Sequence, residues 1–214
     1  MIELFVSAFV TFFVVIDPPG CAPIFAGLTS GAGAAQRRMM AVRAIFVAAL
    51  ILFVFALFGE ALLKALGISL ESFRIAGGVM LFLIALEMVF EKRTERREDR
   101  AEKIRQTPEV EDISVFPMAL PMIAGPGSIA SVMLLMSQNE GPGRSVIVLA
   151  AMASVLLLTL VSLLAAGPIM RVLGAKIEAV ISRLLGVLLA ALATQFVIDG
   201  IRISLVAGAK AAGH

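Results

Sequence analysis

The chain has 214 residues, 60% of them hydrophobic, and a mean hydropathy of +1.00. Soluble domains run about 45–50% apolar, so the composition excludes an ordinary soluble protein and points to one embedded in a membrane. The formal charge of +2 says little until its distribution is read. A single cysteine, Cys21, excludes an internal disulfide and a multi-cysteine metal site, and the sole histidine, His214, leaves none for catalysis.

Six segments are long enough to cross about 30 Å of hydrocarbon, which takes about 20 residues each. Segment one runs from about Leu4 to Leu28. It carries Glu3 ahead of it and no basic flank, so it is expected to be kept as a membrane helix, not cleaved as a signal. The loop Thr29–Gln36 is rich in Gly, Ala and Ser. Segment two runs from about Met39 to Leu63, and segment three from about Ile68 to Phe90. The stretch 92–112 alternates acids and bases and reads as a solvated cytoplasmic loop, not as a nucleic-acid patch. Segment four is uncharged from Ile113 to Asn139 and carries Pro117, Pro121 and Pro126. Segment five is uncharged from Ser145 to Met170. Segment six runs from about Ala179 to Ile203, and 207–214 is expected to be a flexible tail.

Thirteen of the eighteen basic residues lie on the side of the first loop: Arg37, Arg38 and Arg43, seven between Lys92 and Arg105, then Arg171, Lys176 and Arg183. The positive-inside rule puts that side in the cytoplasm and both termini outside. Trp and Tyr are absent, so no ordinary aromatic belt marks the interfaces.

Two short stretches break the apolar runs: Ile16-Asp17-Pro18-Pro19-Gly20 and Ile123-Ala124-Gly125-Pro126-Gly127. Proline has no N–H, so Val14, Val15 and Met122 lose the helical partners of their carbonyls. Past each break a new half-helix starts with unpaired N–H groups. In lipid such groups survive only where they line a cavity or are buried in protein. Asp17 adds an ionisable group at the first break, a functional-site hypothesis by default.

The two Pro-Gly pairs lie 107 residues apart. Arg74-Ile75-Ala76-Gly77 echoes Arg183-Leu184-Leu185-Gly186 at 109, and Gly59 echoes Gly167 at 108. An odd number of spans inverts the second half. The expected fold is therefore all-α: six transmembrane helices as two inverted three-helix repeats, 1–91 and 113–206, with segments one and four broken near mid-membrane.

With Pro23-Ile24-Phe25 after the first break and Pro121-Met122-Ile123-Ala124-Gly125-Pro126-Gly127-Ser128 at the second, the chain resembles the MarC family of six-span membrane proteins, also described as neutral amino acid transporters. The resemblance covers essentially the whole chain. It implies a carrier in the cytoplasmic membrane for glycine, alanine or serine, driven by a proton or sodium gradient, with no other cofactor. The wider superfamily includes lysine exporters and thiol carriers with one cysteine in each broken helix. Here Cys21 is matched by Ser128, so a two-cysteine relay is impossible.

A zwitterionic substrate needs an anion site and a cation site. The half-helix starts at Gly20 and Gly127 suit a carboxylate, with Ser128 adding a hydroxyl. Asp17, flanked by Pro18 and Pro19, suits an ammonium, Na⁺ or a proton, and equally suits capping of the second half-helix. Gly125 and Pro126 complete the second break. Thr11, Cys21, Thr194 and Gln195 are further candidates, each with a packing role as its plain alternative. Arg74 and Arg183 read as snorkelling side chains, and Glu87 and Asp199 as helix-end charges. Alternatives are a carrier or channel for another small solute, or an intramembrane aspartyl protease built on Asp17 and Asp199. The lipid bilayer is the one partner the sequence specifies; oligomeric state is not legible in it.

Overall fold

The computed structural model describes residues 1–90, 92, 96, 99, 102, 112–139 and 141–212, with backbone alone for 168–179 and 206–212. Apolar runs of this length must pair their own backbone groups, and helices do so within one segment. The elements are α1 (Ile2–Ile16), α2 (Pro18–Leu28), α3 (Ala34–Ala65), α4 (Leu70–Val89), α5 (Ser114–Ile123), α6 (Pro126–Gln138), α7 (Pro142–Leu164) and α8 (Ala166–Ala212). There is no strand among the described residues. Five helical stretches are long and apolar enough to cross a membrane, α1 and α2 together forming one; the α5–α6 pair, bent by 53°, makes a sixth if it is a single span.

The turns from α2 to α3 and from α3 to α4 are short. Arg37 Nε donates to the carbonyl of Thr29 at 2.9 Å and its Nη2 to that of Ser30 at 3.1 Å, closing the turn between α2 and α3. Ser69 Oγ accepts from Ser72 N–H at 3.2 Å and caps α4. Asp112 accepts from Ser114 N–H at 2.9 Å and from Arg43 at 2.5 Å, fastening the entry of α5 to α3.

Two expectations need correction. Segment four is not a regular helix with one break. Met118 N–H donates to the Ile113 carbonyl and Ala124 N–H to the Ala119 carbonyl, so α5 is a wide coil with bonds five residues apart. Phe116 (φ −129°, ψ 126°) and Leu120 (φ −122°, ψ 128°) are extended within it. Each precedes a proline, whose ring pushes its neighbour out of the helical region. Three prolines shape this segment, not one. Segment five also ends early. α7 stops at Leu164, one residue separates it from α8, and the backbone of the loop expected near 171–178 is helical. Pro168 is the third residue of α8, where its missing N–H takes nothing from the helix. At about 1.5 Å per residue the 47 residues of α8 far exceed a bilayer; the apolar window Val180–Leu205 is its membrane-crossing part. The backbone is helical through Ala212, and 213–214 lie outside the described residues, as does most of the charged stretch 92–112.

Packing follows a reciprocal scheme. α1 and α2 pack on α7, whereas α5 and α6 pack on α3. α4 and α8 run antiparallel in the most intimate helix pair. A Cβ on Gly78 would lie 2.8 Å from the carbonyl oxygen of Ala193, and one on Gly186 would lie 3.1 Å from that of Ala85. These two contacts are images of each other at an offset of 108 residues, which takes Gly78 to Gly186 and Ala85 to Ala193. At this offset Gly186 corresponds to Gly78, one residue on from the Gly77 of the Arg-x-x-Gly echo. Lipid gives no hydrophobic drive between helices, so small residues that admit close van der Waals contact hold such a pair together.

Candidate functional site

At the first interruption a single residue, Asp17, separates α1 from α2. Its backbone is left-handed (φ 59°, ψ 66°), which Asp tolerates better than most residues. The carboxylate turns back and Oδ1 accepts from Gly20 N–H at 3.2 Å, an N-cap on α2. Gly20 is required there, because a Cβ would stand 2.2 Å from Asp17 Oδ2. Asp17 is 3% exposed. Cys21 Sγ donates across the gap to the Ile16 carbonyl at 3.5 Å. Pro18, Gly20 and Cys21 are buried and Pro19 half-buried.

At the second interruption Ala124 and Gly125 separate α5 from α6. Ser128 Oγ donates across the gap to the Ile123 carbonyl at 2.7 Å. The N-cap position belongs to Gly125, so no side chain caps α6. Asp17 satisfies one first-turn donor of α2, Gly20 N–H, and no side chain does so at the start of α6. Ser131, one turn further on, is fully buried, and its hydroxyl has no hydrogen-bond partner among the described residues.

A cavity of about 430 Å³ opens on this second interruption. Gly125, Pro126, Gly127 and Ser128 all line it, with Val15 from α1 and Ile84 from α4. A Cβ on Gly127 would meet Ile84 Cδ1 at 2.6 Å and Val15 Cγ1 at 3.2 Å, so the start of α6 is pressed against the last turn of α1 and the two interruptions adjoin. Glu87 of α4 and Arg96 also line the cavity and form an ion pair, Arg96 Nη1 donating to Glu87 Oε1.

The structure thus gathers Gly125, Pro126, Gly127 and Ser128 in one cavity. Asp17, Pro18, Pro19 and Gly20 form the neighbouring interruption and do not line that cavity. Thr11 is buried, and its hydroxyl donates to the Ser7 carbonyl of its own helix at 2.8 Å. Thr194 is exposed and donates to Ala190 O at 2.8 Å; Gln195 is exposed and its Nε2 donates to Asp199 Oδ1 at 2.9 Å. Neither lines the cavity. No group of three or more His, Cys, Asp or Glu converges as a metal site among the described residues. Sequence reasoning passed over Glu87 as a helix-end charge. Its signal was present, because Glu87 lies 108 residues before Gln195, a residue singled out in the other half. Ser131 left no signal beyond its place one turn after Ser128.

Two further cavities correspond to each other. One, of about 550 Å³, is lined by Ala26, Thr29, Arg38 and Leu164. The other, of about 240 Å³, is lined by Met133, Met136, Ser145 and Ala56. Each residue of one set lies 107 or 108 positions from its counterpart in the other.

Residues 2–205 match the model of the MarC family integral membrane proteins. The chain is 35% identical over 201 residues to a UPF0056 membrane protein of Methanocaldococcus jannaschii, covering 94% of this chain and 97% of the relative. It is 34% identical over 202 residues to the UPF0056 membrane protein YvbG of Bacillus subtilis, covering 94% and 96%. It is 34% identical over 199 residues to the UPF0056 inner membrane protein YhgN of Escherichia coli K12, covering 92% and 95%. No solved structure matches.

Proposed function

We propose, from the premise that this chain belongs to the MarC family of integral membrane proteins, that it is a secondary transporter of small neutral amino acids. It works in the cytoplasmic membrane with both termini outside, coupled to a proton or sodium gradient. The observation that carries this reading is the cavity at the uncapped start of α6. A helix start with unsatisfied N–H groups attracts a carboxylate, and a cavity of a few hundred Å³ suits a small solute.

The inverted repeat is part of the same reading. It is supported by the reciprocal Gly78–Ala193 and Gly186–Ala85 contacts and by the matched packing of α1–α2 on α7 and α5–α6 on α3. Two halves of opposite orientation give two related pathways, one from each face, converging on a site between them. The paired cavities of about 550 and 240 Å³ are those pathways, the wider one on the basic, cytoplasmic side. Asp17 is the coupling group: buried, ionisable and placed where α1 gives way to α2.

The test is uptake of labelled glycine and alanine into liposomes under an imposed pH or Na⁺ gradient. Wild-type protein accumulates them, and Asp17→Asn, which keeps a capping oxygen, loses gradient-driven accumulation while retaining exchange. Folded wild-type protein that moves neither amino acid under any gradient refutes the assignment.

A further inference from the structure

We infer that Glu87 recognises the ammonium group of the transported amino acid, and that Arg96 is the counter-ion it exchanges for that ammonium. The inference rests on the reading above and gives its cavity a second pole. The cavity at the second interruption has one positive end, the uncapped start of α6. Glu87 is its one acidic wall residue among the described residues. A carboxylate in a membrane helix characteristically pairs with another charged or polar group. Here the partner comes from outside the span, since Arg96 belongs to the charged stretch that follows α4.

The two members of the pair differ in character. The Glu87 side chain is 27% exposed and held on a packed helix, whereas that of Arg96 is 69% exposed on a long stem. Exchange therefore releases Arg96 to water and leaves Glu87 in place. An exposed arginine loses little on release, because such pairs are worth little in solvent. The incoming ammonium then takes the place of the guanidinium beside the Glu87 carboxylate.

Comparison of the halves points the same way. In the first, Asp17 fills the start of α2, and the position matching Glu87 is the neutral Gln195. In the second, the start of α6 has no side-chain cap, and the matching position carries the carboxylate. One interruption is internally satisfied; the other offers a cation-binding and an anion-binding end to a zwitterion.

Uptake of labelled alanine into liposomes, with propionate as competitor, tests this with Glu87→Gln, Glu87→Asp and Arg96→Gln. Glu87→Gln is expected to raise the KM for alanine about tenfold or more, the usual effect of losing a charged hydrogen-bond partner. It should also narrow the preference for alanine over propionate by a similar factor, a change that a merely structural residue would not produce. Glu87→Asp should retain part of that preference, and Arg96→Gln should lower the KM. If wild-type protein transports alanine but Glu87→Gln keeps its KM and its discrimination, the inference fails and the transporter reading stands. If Glu87→Gln does not fold, unchanged KM values in both Glu87→Asp and Arg96→Gln overturn it. Wild-type protein that moves no amino acid overturns both readings.

Discussion

Cys21 and Ser128 make the same contact, 107 residues apart: each donates across an interruption to the carbonyl five positions back, Ile16 at 3.5 Å and Ile123 at 2.7 Å. A backbone carbonyl left over at a break inside a membrane must find a donor. A small side chain with one donor at the first turn of the new half-helix supplies it.

This equivalence predicts an ordering. Cys21→Ser should be neutral or stabilising, since a hydroxyl is the better donor. Ser128→Cys should be tolerated, and Ser128→Ala should cost about 1 kcal/mol, the net worth of one hydrogen bond. Thermal unfolding of the purified protein in detergent measures all three. Ser128→Ala as stable as wild type would show that the bond is incidental.

Asp17 combines a left-handed backbone with a cap. Asn shares both abilities, so Asp17→Asn should unfold near the wild-type temperature even where it abolishes coupling. Asp17→Val loses the cap and adds a β-branched residue at positive φ, and should cost about 2 kcal/mol or more. Gly20→Ala should resemble Asp17→Val, because the new methyl group displaces the capping carboxylate. Melting temperatures of the three variants distinguish a structural Asp17 from one that is only functional.

The α4–α8 seam should not accept bulk. Gly78→Leu drives a side chain against the Ala193 backbone, and Gly186→Leu does the same against Ala85. Overpacking of this kind costs about 1–3 kcal/mol, and more where the obstacle is backbone. Gly143 has nothing within 4 Å of its would-be Cβ, so Gly143→Ala should leave stability unchanged. Equal behaviour of all three variants in detergent would mean that the seam is not tightly packed.

The link between Asp112 and Arg43 should appear in the pH dependence of stability. The neighbouring Ser114 hydroxyl, the hydrogen bond from the Ser114 N–H, and then the Arg43 guanidinium hold the Asp112 carboxyl below its ordinary range. A depressed carboxylate stabilises the fold above its unfolded pKa of about 3.9 and loses that contribution as pH falls through the lower folded value. Asp112→Asn should therefore melt below wild type at pH 6, with the gap closing below about pH 4. The site is largely exposed, so the gap should be small. A gap that persists unchanged to pH 3 would assign the effect to something other than charge.

Much of the fold was legible because lipid leaves so few choices. Apolar runs of about 20 residues must be helical. The two Pro-Gly pairs named both interruptions, since proline removes an N–H wherever it stands. The candidate site was legible in part: Gly125 to Ser128 line the cavity, and Asp17 has the capping role foreseen as its alternative. The course of α5 was not legible, because cooperation among Pro117, Pro121 and Pro126 depends on what packs around them. Nor was Glu87, since one turn from a helix end an acid can face water, lipid or a cavity, and sequence spacing does not distinguish these.

By itself, then, the sequence determined membrane residence, the series of apolar helical runs and the two points where helix must yield. Each follows from local chemistry: solvation of side chains, backbone donors present or absent, and spacing along one chain. Only the tertiary structure decided which half-helix start is filled by its own carboxylate and which has no side-chain cap. It also decided that Gly78 packs on Ala193 and Gly186 on Ala85, and that Glu87 and Arg96 meet at the second interruption. Those outcomes depend on how helices far apart in sequence pack, where a shift of one residue turns a side chain through about 100° and so from lipid to cavity.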